Sequence, residues 1–75
     1  MKHRAAFSEL LRELRQHAAL SQEALAEKAG LHRTYISQLE RGIKSPTLDV
    51  IAALSPALEV PLKAFLTQLS RRLGS

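Results

Sequence analysis

Residues 22–41 read QEALAEKAGLHRTYISQLER, and the fold turns on this stretch. Two short helical runs, Gln22 to Ala29 and His32 to Arg41, meet at a tight turn around Gly30. Ser21 offers a side-chain oxygen that caps the first run. Gly30 takes a positive φ without steric cost, which such a turn demands. Ala26 stands where the second helix must approach closely, and only a small side chain permits that. Ile36 and Leu39 face back onto the first helix and lock the angle between the two. A small residue, a glycine four later and aliphatics six and nine beyond the glycine are the specification of a helix-turn-helix pair.

Helical spacing extends outward in both directions. Phe7, Leu10, Leu11, Leu14 and Ala18 form one stripe, predicting a first helix over about residues 4–17. Gly42 stops the third helix. Ser45-Pro46-Thr47 starts a fourth, with Leu48, Ile51, Leu54 and Leu58 facing inward. Pro56 lies near its end, cannot donate to the Ala52 carbonyl and crowds that turn. The helix therefore either ends early near Leu54 or kinks and resumes through Leu58, and the kink is expected because Leu58 keeps the inward spacing. Val60-Pro61 opens a fifth helix with Pro61 in its first turn, and its stripe is Leu62, Phe65, Leu66, Leu69 and Leu73. No period-two alternation or hairpin signal appears. The expected fold is all-α, a compact five-helix bundle forming a single domain over residues 1–75.

Composition narrows the function. Eleven Lys and Arg against seven Asp and Glu give a formal charge of +4 in 75 residues. A basic domain this small attracts polyanions, either nucleic acid or an acidic membrane surface. Cysteine is absent, which removes disulfides and thiolate metal sites. His3, His17 and His32 are widely spaced with no clustered carboxylates, so no metal is expected, and no cofactor or small-molecule ligand either. No nucleophile–base pair or Gly-rich phosphate loop stands out, which argues against an enzyme. No apolar run reaches membrane-span length and no signal peptide follows the basic start, so a cytoplasmic chain without a membrane partner is expected.

The outward face of the third helix carries His32, Arg33, Thr34, Ser37, Gln38 and part of Tyr35. A helix fits the major groove of B-DNA, where each base pair shows a distinct pattern of donors, acceptors and methyl groups. Arg33 can hold guanine O6 and N7 with two hydrogen bonds, Gln38 can do the same for adenine, and Thr34 can offer its methyl to thymine. Gln22 opens the second helix, where free backbone N–H groups and the helix dipole favour a phosphate. Arg41 and Lys44 flank the end of the third helix and are placed over the DNA backbone. His32 caps that helix and meets a phosphate more strongly when protonated. Tyr35 touches a sugar or phosphate, or a thymine methyl, or covers the side of its own helix.

The segments SQEALAEKAGLHRTYISQLERG (21–42) and SPTLDVIAAL (45–54) resemble the Cro/repressor-type (Xre-like) helix-turn-helix family. Within it the chain is similar to the small controller proteins of restriction–modification systems. The resemblance implies that Arg33, Thr34, Ser37 and Gln38 read bases and that Gln22 grips a phosphate, with Ser21 adding a contact. It also implies a partly buried salt bridge between Arg15 and Glu40. Two positions depart from the family: Pro56 interrupts the fourth helix, and Glu59 stands where glycine is common after it.

Leu62, Phe65, Leu66, Leu69 and Leu73 either face their own core or form a homodimer interface helped by the end of the fourth helix. The interface is expected because five large apolar residues exceed what one short capping helix needs. An isologous seam suits an inverted-repeat operator on double-stranded DNA. Repression would follow from promoter occlusion, and activation would need a patch that touches RNA polymerase. An antitoxin-like protein-interaction module with secondary DNA binding is the alternative. Binding of single-stranded RNA fits less well, because one Tyr, two Phe and no Trp leave little for base stacking.

Overall fold

The computed structural model describes residues 2–74. They form α1 (Lys2–His17), α2 (Gln22–Ala29), α3 (Arg33–Glu40), α4 (Leu48–Ala57) and α5 (Leu62–Arg72). The first helix starts two residues earlier than the apolar stripe predicts. His32 and Arg41 are the caps of α3, not members of it, and Pro61 caps α5 from outside.

Each start and stop has a local cause. The Ser21 hydroxyl accepts the Ala24 N–H at 3.0 Å, and the Thr47 hydroxyl accepts the Val50 N–H at 3.2 Å. Four helices end in the same paired hydrogen bonds, in which a left-handed residue and its successor reach back over the last turn. At α2 these run from Gly30 to Glu27 and from Leu31 to Ala26, and at α3 from Gly42 to Leu39 and from Ile43 to Gln38. At α1 and α4 the left-handed residue is not glycine: Ala19 and Glu59 both have φ of 59°. The residue after it is apolar in every case, namely Leu20, Leu31, Ile43 and Val60.

The core is one cluster. Phe7, Leu10 and Leu11 of α1 meet Leu25 and Ala26 of α2, Ile36 and Leu39 of α3, Ile51 and Leu54 of α4, and Phe65 of α5. Phe7 and Phe65 stack with ring centroids 5.9 Å apart, which joins the two ends of the chain. An ion pair between Arg72 and Glu13 ties α5 to α1 again at the surface.

Two sequence expectations need correction here. Leu48 is 65% exposed, not inward, because it shares the outer side of α4 with Ala52 and Pro56 at four-residue spacing. Ser55, whose hydroxyl donates to the Ile51 carbonyl at 3.0 Å, is buried instead. Phe65 is fully buried against its own core and is not available to an interface, whereas Leu62 and Leu66 on α5 and Leu73 at its C-cap remain exposed. The other half of the α4 reading concerned Pro56: the helix continues through it to Ala57 and keeps Leu58 buried.

Candidate nucleic-acid interface

α3 has eight residues and two chemically distinct sides. Ile36, Leu39 and Glu40 are buried against α1 and α2. On the other side Arg33 and Thr34 are exposed, and Ser37 and Gln38 are half-buried and stand outside the core cluster. Gln22, at the first position of α2, lines a shallow depression of about 170 Å³ together with Arg33, Thr34 and Ser37. The start of α2 and the outer face of α3 therefore form one continuous polar surface.

The flanking residues fall into place by element. Ser21 is exposed, and its hydroxyl keeps its own O–H free to donate while the oxygen caps α2. His32 is exposed and makes no capping hydrogen bond, so its ring is uncommitted. Tyr35 packs half-buried against the core cluster, which favours the covering role among those considered for it. Arg41 and Lys44 are exposed at the end of α3 and in the following loop.

The angle of α3 is set by a charged hub beneath it. Arg15 Nε donates to Glu40 Oε2 at 2.5 Å and its Nη2 to Oε1 at 3.0 Å, a two-pronged contact that joins α1 to α3. The Glu40 side chain is 3% exposed and that of Arg15 14%. The hydrogen bond to Glu40 raises the Arg15 pKa above its ordinary value, against the opposing effect of burial. Gln22 Nε2 also donates to Glu40 Oε1, at 3.2 Å.

Two arginines escaped the sequence reading. Arg12 Nη2 donates to the Glu40 carbonyl at 2.6 Å, placing positive charge at the C-terminal end of α3, where the helix dipole favours it. Its spacing of three from Arg15 puts both on one face of α1, a signal the sequence carries. Arg4 Nε donates to Ser45 Oγ at 2.9 Å and its Nη1 to the Ile43 carbonyl at 3.4 Å, latching the loop that carries Lys44. Nothing local in the sequence marks Arg4, because its partners lie 39 and 41 residues away. Among the described residues no group of three or more His, Cys, Asp or Glu is placed to hold a metal ion. Among the same residues no single helix is long and apolar enough to cross a membrane.

Known proteins share this fold and much of this sequence. The helix-turn-helix family model matches residues 11–65. The control protein C.BamHI of Bacillus amyloliquefaciens is 44% identical over 64 residues, covering 84% of this chain and 79% of its own. The restriction–modification controller protein C.AhdI of Aeromonas hydrophila superposes with a TM-score of 0.78 at 39% identity, over 83% of this chain and 94% of its own. C.Esp1396I, solved as a tetramer in complex with its natural 35 base-pair operator, superposes with a TM-score of 0.89 at 28% identity over 100% of this chain and 99% of its own. By its fold, its turn and its matched segment, the chain belongs to the helix-turn-helix family, and within it is similar to the controller proteins of restriction–modification systems.

Proposed function

We propose that this chain is a sequence-specific DNA-binding transcriptional regulator, acting as a homodimer on an inverted-repeat operator with α3 in the major groove. One observation carries the reading: the outer face of α3 and the first residue of α2 make a single exposed polar surface above a rigid hub. The formal charge of +4 supports attraction to the DNA backbone. The operator complex of C.Esp1396I supports the same mode of action.

In this reading Arg33 is the main reader, bidentate to guanine, with Thr34, Ser37 and Gln38 completing the set. Ser21, Gln22, His32, Arg41 and Lys44 hold phosphates, and Tyr35 borders them. Such contacts fix register without encoding sequence. Residues 1–75 act as one DNA-binding domain in the cytoplasm. The dimer seam uses Leu62, Leu66 and Leu73 on the outer face of α5, with the half-buried Leu69 at its edge. A two-fold seam then sets the recognition helices about 34 Å apart, one turn of DNA. An activating contact with RNA polymerase would use the end of α3 and the loop to α4, where Ile43 and Leu48 stand exposed.

The test is selection of binding sites from random duplex DNA, with Arg33→Ala run in parallel at fixed salt. The expected result is an inverted repeat whose preference at one position relaxes in the variant. Salt-sensitive binding with no enriched sequence would refute base readout.

A further inference from the structure

The buried carboxylate of Glu40 does more than join two helices. Its Oε2 is taken by Arg15, while its Oε1 is shared between Arg15 Nη2 and Gln22 Nε2. An ionised carboxylate only accepts hydrogen bonds, whereas a glutamine amide has one donating and one accepting end. Glu40 therefore dictates which end of the Gln22 amide faces inward. With Nε2 turned to the carboxylate, one N–H is used and the second remains for an anion in front of α2. In the flipped state the amide oxygen would face the carboxylate and be repelled.

The support of this arrangement is itself fixed. Arg15 Nη1 donates to the Leu20 carbonyl at 2.9 Å, in the turn that leads into Ser21 and Gln22. One guanidinium thus holds both the carboxylate and the backbone that delivers the glutamine. Gln22 also lines the depression that contains Arg33, Thr34 and Ser37, so it sits beside the residues of the α3 face.

We propose that Glu40 is a positioning residue for DNA binding: it fixes the flip state and direction of the Gln22 amide, so that an oriented donor meets an operator phosphate. The inference rests on the DNA-binding reading above. A long, freely rotating side chain loses affinity when it must be ordered on binding, and prior ordering removes that loss, by roughly two- to tenfold.

A double-mutant cycle on operator affinity tests this, with Gln22→Ala and Glu40→Gln measured singly and together. The operator is the duplex selected from random DNA, salt is fixed, and the folded fraction of each variant is read by circular dichroism. Glu40→Gln should weaken binding by roughly two- to tenfold in the wild-type background and not measurably when Gln22 is already alanine. Equal losses in both backgrounds would mean that Glu40 only supports the fold, and would overturn the proposal. Where Glu40→Gln does not fold, NMR of the wild-type chain reads the same point. One Gln22 side-chain N–H should be shifted and protected from exchange before DNA is added, with Gln22→Ala assigning the signal. An unshifted, unprotected amide would overturn the proposal. Failure of the wild-type chain to select any duplex would instead remove the DNA-binding reading, and this inference with it.

Discussion

Replacing Glu59 by glycine should stabilise the protein although it deletes a side chain. Glu59 adopts φ of 59° at the left-handed stop of α4, where the Val60 N–H reaches the Ser55 carbonyl at 2.9 Å and the Glu59 N–H reaches Pro56 at 3.0 Å. Left-handed backbone costs an L-residue about 1–2 kcal/mol, a cost glycine escapes. Glycine also frees the unfolded chain, which returns about 0.4–1 kcal/mol to that state. The Glu59 side chain is exposed, so no packing is lost. The net gain is about 0.5–1 kcal/mol, or roughly 2–8 °C in Tm for a domain this small. Gly30→Ala is the mirror experiment. Gly30 has φ of 70° and nothing within 4 Å of an added Cβ, so its substitution should cost about the same amount through backbone strain alone. Thermal unfolding followed by circular dichroism at one protein concentration compares both variants with the wild type. A lower Tm for Glu59→Gly, or an unchanged Tm for Gly30→Ala, would refute the reasoning.

Arg15→Ala leaves the buried Glu40 without its main partner and should cost about 3–5 kcal/mol, measured by urea unfolding. At roughly 0.05–0.15 kcal/mol per residue a chain this short holds only about 4–11 kcal/mol, so the variant forfeits a large part of its stability. Because the Arg15 pKa is raised in the folded state, the bridge is complete below the unfolded-state value and is lost only at pH above the ordinary arginine range. Unfolding free energies between pH 8 and pH 10 should therefore show no loss traceable to Arg15. Leu66→Glu places a carboxylate on the exposed face of α5 and should give a folded monomer by sedimentation. Phe65→Ala should instead destabilise the fold, by about 3–5 kcal/mol. Lys44→Ala should weaken duplex binding evenly across sequences and lower the salt slope of log K by about 1.

The helix-turn-helix pair was legible because its constraints are local. Ala26, Gly30, Ile36 and Leu39 specify a turn within fourteen positions, and Gly30 and Gly42 announce their left-handed stops by residue type. Ala19 and Glu59 hide the same stop behind ordinary side chains. What marks these two is the apolar residue that follows, Leu20 or Val60, a weaker signal than glycine. Leu48 and Phe65 failed differently. Both lie on stripes with helical period, but period alone does not say which of two stripe edges meets the core. Phe7, more than fifty residues away, decides that Phe65 turns inward. The Arg15–Glu40 pair followed from family resemblance, while Arg4 and Arg12 depend on where α1 crosses the ends of α3, which tertiary packing decides.

In the proposed reading, α3 also shows how a domain of this size can change its target. A helix of eight residues falls short of the roughly 12–15 needed for even marginal stability alone, so its conformation is imposed from below. Ile36 and Leu39 supply apolar anchorage, Glu40 supplies the charged hub, and Arg12 and the Gly42 stop hold the far end. None of these lies on the outer face. Arg33, Thr34, Ser37 and Gln38 make none of the anchoring hydrogen bonds between α3 and the rest of the protein through their side chains, so replacing them costs little folding energy. The stability of the domain and the polar chemistry of its exposed face are thus assigned to opposite sides of one short helix. Gln22 is the exception, because its amide belongs to the hub and to the outer face at once. Substitution there is the place where a change in DNA contact and a change in the support of α3 cannot be made separately.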